Sequence, residues 1–181
     1  QFAKYDSAIY YWLQCLELQE LDTDLIGMAK ANSNIGLIHS QQRDREKAKV
    51  YFSKSIGLYI KIGDSVRAAR TMVYLGRELY LNEQLDSAEL FLQKALKHNQ
   101  RFGEKKNLAA NLYSLGEVKL EKGDIDSARH FIQKSLELRE MIGFKLGIVR
   151  SLETLSEICL LQGDVKNAVA HAERAYKYAR S

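Results

Sequence analysis

Apolar and small residues recur along the chain at helical spacing, and the whole pattern repeats with a step of 40 residues. A ladder of small residues runs Ala8, Ala48, Ala88, Ala128, Ala168. Four positions after each comes Trp12, Phe52, Leu92, Ile132 and finally Ala172, and four further on come Leu16, Ile56, Leu96, Leu136 and Tyr176. A spacing of four keeps each trio on one helix face. A second series, Ile35-Gly36, Leu75-Gly76, Leu115-Gly116 and Leu155-Ser156, lies twelve residues ahead of the alanines and marks another helix in each unit. The Gly or Ser of one helix and the Ala of the next have almost no side chain, so they fit where two helices of a hairpin approach most closely. The pattern therefore predicts stacked helix pairs, the signature of a repeat protein.

Residues 4 to 20 read as a second helix without a first, since Ala8 and Trp12 already stand in second-helix positions. Four pairs follow, with first helices near 24–42, 64–82, 104–122 and 145–162 and second helices near 45–61, 85–101, 125–141 and 165–180. The expected organisation is a single domain over 1–181, with a half repeat at 1–22 and helix-pair repeats at 23–62, 63–102, 103–142 and 143–181. The half repeat and the lack of an initiating Met suggest a piece of a larger protein. Asp44, Asp124 and Asp164 are placed to cap the second helices. Gly63, Gly103 and Gly143 are placed to end three second helices in a left-handed residue, and Gly123 and Gly163 to form tight turns.

The order Met72, Leu75, Gly76, Ala88, Leu92, Ala95, and before it Ile35, Gly36, Ala48, Phe52, resembles the tetratricopeptide repeat motif. The step of 40 is longer than the family's usual period of about 34, and the closing Pro is absent from the chain. Both departures are similar to the longer-repeat branch of Pins/LGN scaffolds and of bacterial signalling proteins. The resemblance implies an all-α fold, a right-handed α-solenoid (superhelix) of antiparallel helix pairs with about nine helices. It also implies a concave groove lined by the first helices, and it is not specific for function. On that face fall Lys30 and Asn34; Arg70, Tyr74 and Arg77; Tyr113 and Glu117; and Arg150, Glu153 and Glu157. Such a groove is basic and aromatic at one end and acidic at the other, suited to a peptide or protein segment held by charge-assisted hydrogen bonds. Charges pairing between adjacent helices is the competing reading for any one of these residues. Lys30 and Asn34 match the opening of the carboxylate clamp of chaperone-binding members, but Tyr74, Ala110 and Ser114 stand where the rest should be. The chaperone C-terminus is therefore not the expected ligand.

Composition adds exclusions. No apolar run approaches the roughly 18 residues that cross a bilayer, and no basic-then-apolar leader begins the sequence, so no membrane insertion by this segment and a cytoplasmic location are expected. Cys15 and Cys159 fall at core positions of distant repeats and are expected as buried thiols, while His39, His98, His130 and His171 have no metal-ligand spacing. Motifs of the HExxH, CxxC, GxSxG and phosphate-loop kinds are missing from the sequence, so a non-catalytic protein without cofactor or metal is expected. The formal net charge of +4 includes a cluster at Lys94, Lys97, Arg101, Lys105 and Lys106. It shares a corner with Glu104 and lacks interleaved aromatics, which argues against nucleic acid. The leading reading is a groove-binding interaction module. The second is the sensory or dimerising region of a bacterial histidine kinase or transcription regulator, with self-association through exposed terminal repeats.

Overall fold

The computed structural model describes residues 2–21 and 23–180. All regular structure among them is helical: α1 (Phe2–Leu21), α2 (Leu25–Gln41), α3 (Arg45–Ile62), α4 (Ser65–Leu81), α5 (Leu85–Phe102), α6 (Lys105–Glu121), α7 (Ile125–Met141), α8 (Lys145–Leu161) and α9 (Val165–Arg180). The helices expected from the 40-residue step are the ones found. Among the described residues no helix is long and apolar enough to cross a membrane.

Helix ends repeat every 20 residues rather than every 40, because first and second helices have nearly equal length. Thr23, Arg43, Gly63, Glu83, Gly123, Gly143 and Gly163 all take positive φ. At Gly63 this residue closes α3, its N–H reaching back to the carbonyls of Ile60 and Tyr59, an arrangement that costs Gly least. Gly103 departs from the expectation: its φ is not positive. It sits so close to the preceding helix that an added Cβ would come within 2.7 Å of the Asn99 Cα and carbonyl oxygen. Its requirement is space rather than backbone handedness. Asp44, Asp124 and Asp164 cap α3, α7 and α9 through the N–H groups of Lys47, Ser127 and Asn167. Asp24 and Asp64 do the same for first helices, accepting from Gly27 N at 3.0 Å and Arg67 N at 2.9 Å.

The contacts group into two compact units divided after His98. In the first, α1 packs on α2, α2 on α3 and α3 on α4. Gly36 faces Phe52 and Gly76 faces Leu92, where a Cβ would lie 2.7 and 2.6 Å from the ring and the Leu Cγ respectively. Phe52, Leu92 and Tyr59 are almost wholly buried, each such side chain contributing about 1.5 to 3 kcal/mol. Ser55 Oγ donates to the Ala29 carbonyl at 2.8 Å, tying α3 to α2.

The second unit repeats these devices. Here α6 packs on α7, α7 on α8 and α8 on α9, around Ile132, Leu136, Ile148, Leu152, Leu155 and Ile158. Gly116 faces Ile132, and Ser135 Oγ donates to the Ala109 carbonyl at 2.7 Å. In the last pair Ser156 replaces Gly and Ala172 replaces the large residue. The smaller partner leaves room for the hydroxyl, which donates to the Ala168 carbonyl at 2.8 Å.

Cys159 is buried as expected, but Cys15 is exposed. Its counterparts Ser55 and Ser135 face the first helix of their own pair, and among the described residues no helix holds that place beside α1. His39 is a buried ring stacked on Tyr51 at 5.5 Å between centroids. Its Nδ1 lies 3.7 Å from the Asp44 carboxylate, yet burial outweighs that attraction and holds the imidazole pKa below its ordinary value, with Lys47 acting in the same direction.

Two expectations follow. Gly76→Ser should destabilise by about 1 to 3 kcal/mol through overpacking. Combined with Leu92→Ala it should cost less than the two single changes together, as the Ser156–Ala172 pairing implies; urea denaturation of all four proteins measures the coupling. For His39, folding favours the neutral ring, so its contribution is complete above pH 6.5 and is lost as pH falls through the lowered native pKa. His39→Phe should therefore flatten the loss of denaturation midpoint between roughly pH 7 and 5, and an unchanged slope would remove His39 as its source.

Candidate interaction face of the first helices

In the N-terminal unit, Lys30, Asn34 and Leu37 on α2 and Arg70, Tyr74 and Arg77 on α4 are spaced by four and three, which aligns each trio along one face. Lys30, Arg70 and Arg77 are exposed, and Asn34, Leu37 and Tyr74 are half-buried. The Tyr74 ring packs at a tilt against Phe52, 5.7 Å between centroids, so its position is set by the core side chain opposite Gly36. The α2 sequence contains no carboxylate, and that of α4 contains one, Glu78. Glu78 is only 4% exposed and accepts a hydrogen bond from Ser40 Oγ, which links the two helices.

The cations on this face are therefore not balanced by acids on the same helices. Arg67 is committed to Asp64 by an ion pair. Arg70 is felt electrostatically by Asp64 and Tyr59, but among the described residues no hydrogen bond or ion pair engages the Lys30, Arg70 or Arg77 head groups. The arrangement can accept carboxylates without first breaking an internal pair, and Tyr74 offers an adjoining apolar surface.

In the C-terminal unit Arg150, Glu153 and Glu157 stand exposed on α8 and Glu117 is half-buried on α6. Tyr113 lies beneath them, 9% exposed. Its hydroxyl and Thr154 Oγ1 are 3.0 Å apart, and Thr154 in turn donates to the Arg150 carbonyl. Burial, then the Glu117 charge, push the Tyr113 phenol pKa up. Below the ring, the Arg139 guanidinium stacks at 4.3 Å from its centroid. Arg139 is 5% exposed and donates from Nη1 to the Gly147 carbonyl at 2.8 Å and to Ser151 Oγ at 2.7 Å. This buried cation fixes the floor of the α6–α8 face. Sequence reasoning did not single it out, although the 40-residue step from Tyr59 lands on Asn99 and Arg139, all three of them buried. Glu78 was overlooked as well, since a carboxylate next to Arg77 reads as a surface residue until the helix face is known.

A tetratricopeptide repeat model matches residues 27–101 and 107–181. The chain belongs to the tetratricopeptide repeat family. Several solved structures share the fold. A Rap protein complexed with Competence and Sporulation Factor superposes with a TM-score of 0.84 at 21% identity, covering 98% of this chain and 50% of that one. The Rap conjugation gene regulator of plasmid pLS20, in complex with the Phr* peptide, gives 0.75 at 17% identity, covering 95% and 53%. BtubC (BKLC) from P. vanneervenii gives 0.78 at 14% identity, covering 99% and 90%. The chain thus spans about half the length of the two Rap proteins. No curated protein sequence is detectably similar. Among the described residues no group of His, Cys, Asp and Glu could hold a metal ion.

Arg139→Lys should destabilise the protein by about 2 kcal/mol or more, because the non-planar ammonium cannot stack flat on Tyr113 and lacks the rigid guanidinium plane that holds Nη1 against the Gly147 and Ser151 acceptors. Thermal or urea unfolding measures this, and a change within about 0.5 kcal/mol would show that the Arg139 bonds carry little of the stability.

Proposed function

We propose that this tetratricopeptide repeat protein is a non-catalytic protein-interaction module whose first-helix faces hold a peptide or protein segment. The observation that carries the reading is the set of exposed cations Lys30, Arg70 and Arg77, unpaired among the described residues, on two helices that present no exposed carboxylate of their own. An acidic stretch of ligand answers that charge, with Asn34 supplying an amide and Tyr74 an apolar contact. The α6–α8 face, with Glu117, Arg150, Glu153 and Glu157 over the Tyr113 floor, has mixed charge and suits a segment carrying both signs. The Rap structures, which share this fold, were solved with Competence and Sporulation Factor and with the Phr* peptide, which supports peptide binding as a use of such a scaffold.

The Arg70→Glu, Arg77→Glu protein tests this reading. Both side chains are exposed, so helicity and melting temperature should stay close to wild type. Fluorescently labelled acidic peptides should bind wild type in a salt-sensitive manner and lose roughly tenfold or more in affinity on the double variant. Capture of partners from lysate by the two proteins should differ in the same sense. Equal binding by both proteins, both folded, would sink the proposal.

A further inference from the structure

A separate cleft of about 440 Å³ opens between α1, α2 and α3, on the other helices of the N-terminal unit from the Arg70 and Arg77 face. Leu16, Met28 and Leu58 give it an apolar wall, Asn32, Ser53 and Gly57 line it, and Lys54 and Lys61 complete it. Two of these residues break the repeat at the same place. Asn32 stands where the 40-residue step has Met72, Leu112 and Leu152, and Gly57 where it has Lys97, Glu137 and Lys177.

Neither departure is explained by packing. Asn32 is 3% exposed, and its Nδ2 donates to the Met28 carbonyl at 2.8 Å, which orients the amide and leaves Oδ1 buried without a partner among the described residues. A buried acceptor in that state costs on the order of 1 to 3 kcal/mol, whereas an apolar residue serves at the equivalent positions. At Gly57 a Cβ would meet nothing within 4 Å. A glycine inside a helix costs roughly 0.5 to 1 kcal/mol relative to Ala, and close approach of a ligand to backbone is one of its uses. Lys54 has a tyrosine neighbour, its Nζ lying 5.4 Å from the Tyr51 ring centroid. Among the described residues neither Lys54 nor Lys61 has a carboxylate partner.

We propose that this cleft is a binding site for a small amphipathic carboxylate of the N-acyl amino acid type. The acyl chain lies along Leu16, Met28 and Leu58 and crosses the bare α3 backbone at Gly57, the amide N–H donates to Asn32 Oδ1, and the carboxylate meets Lys54 and Lys61. The oxygen is closed to water as the cleft stands, so a lining side chain gives way as the ligand enters, and Met28 is the most flexible of the apolar ones. The volume lies within the range of small-molecule sites. This site does not depend on the peptide-binding reading above and shares no residue with it.

The probe is N-decanoylglycine, followed by amide shifts in the NMR spectrum of the wild-type protein and by displacement of anilinonaphthalene sulfonate. Saturable shifts at the Gly57 amide and the Asn32 side-chain amide are expected, with its methyl ester binding roughly tenfold more weakly for want of the charge. Lys54→Gln with Lys61→Gln should weaken N-decanoylglycine to a similar degree, Asn32→Leu should weaken it several-fold, and Gly57→Trp should abolish binding. Melting curves establish that each variant is folded, and the two lysine changes lie on the surface, so they test the charge even if a cleft variant unfolds. Absence of shifts at Gly57 and Asn32 in wild type overturns the proposal. So does equal binding of acid and ester, or unchanged affinity in the folded variants.

Discussion

The fold depends on how closely two helices of a pair can approach. At Gly36, Gly76 and Gly116 a single added carbon would lie 2.5 to 2.7 Å from Phe52, Leu92 or Ile132, well inside contact distance. Each large side chain therefore lies directly over the backbone of its partner helix, and the alanine four residues before it keeps the next turn equally close. Much else follows from this contact. Phe52, pressed onto Gly36, provides the surface on which Tyr74 rests, so the tilt of a face residue is inherited from a core constraint. The last pair shows that the constraint is on the sum of the two partners. Ser156 is accommodated because Ala172 is small, and its hydroxyl finds a carbonyl in the space left.

What the sequence made legible was whatever repeats. A period of 40 with apolar residues four apart has one physical solution, paired helices whose faces match from unit to unit, and the helix bounds follow it to within two residues. Three things were not legible, each for a separate reason. Cys15 occupies a core position in the pattern, but a position is buried only if the neighbouring helix is there to cover it. Gly103 has the right spacing for a left-handed cap, but spacing alone cannot distinguish a glycine needed for its φ from one needed for its lack of Cβ. Arg139 looks like a surface charge at the end of a helix, and only the packing of Tyr113, Gly147 and Ser151 around it reveals a buried, fully directed guanidinium. The candidate face was legible as a set of positions, while the degree of exposure was not. Lys30, Arg70 and Arg77 are exposed, Tyr74 is half-covered and Tyr113 lies within the core.

Residues that agree between repeats are accounted for by helix pairing, since the same contact recurs in each unit and requires the same small and large side chains. Residues that differ between repeats at otherwise equivalent positions have no such explanation and must be judged by their local energetics. Many are neutral on a solvated surface. The cations of α4 and the pair Asn32 and Gly57 are of another kind. The former concentrate one sign of charge on helices that expose no acid of their own, and the latter place an acceptor unpaired among the described residues and a bare backbone in one cleft. The cleft pair is less favourable for the isolated chain than the residues its own repeats use elsewhere, whereas a cation recurs at the Arg70 position as Lys30 and Arg150. A carboxylate would answer the solvated α4 cations, and a hydrogen-bond donor with an apolar chain would relieve the cost in the cleft. In a scaffold built from one repeated contact, the positions at which stability is given up are the places where binding free energy can be recovered.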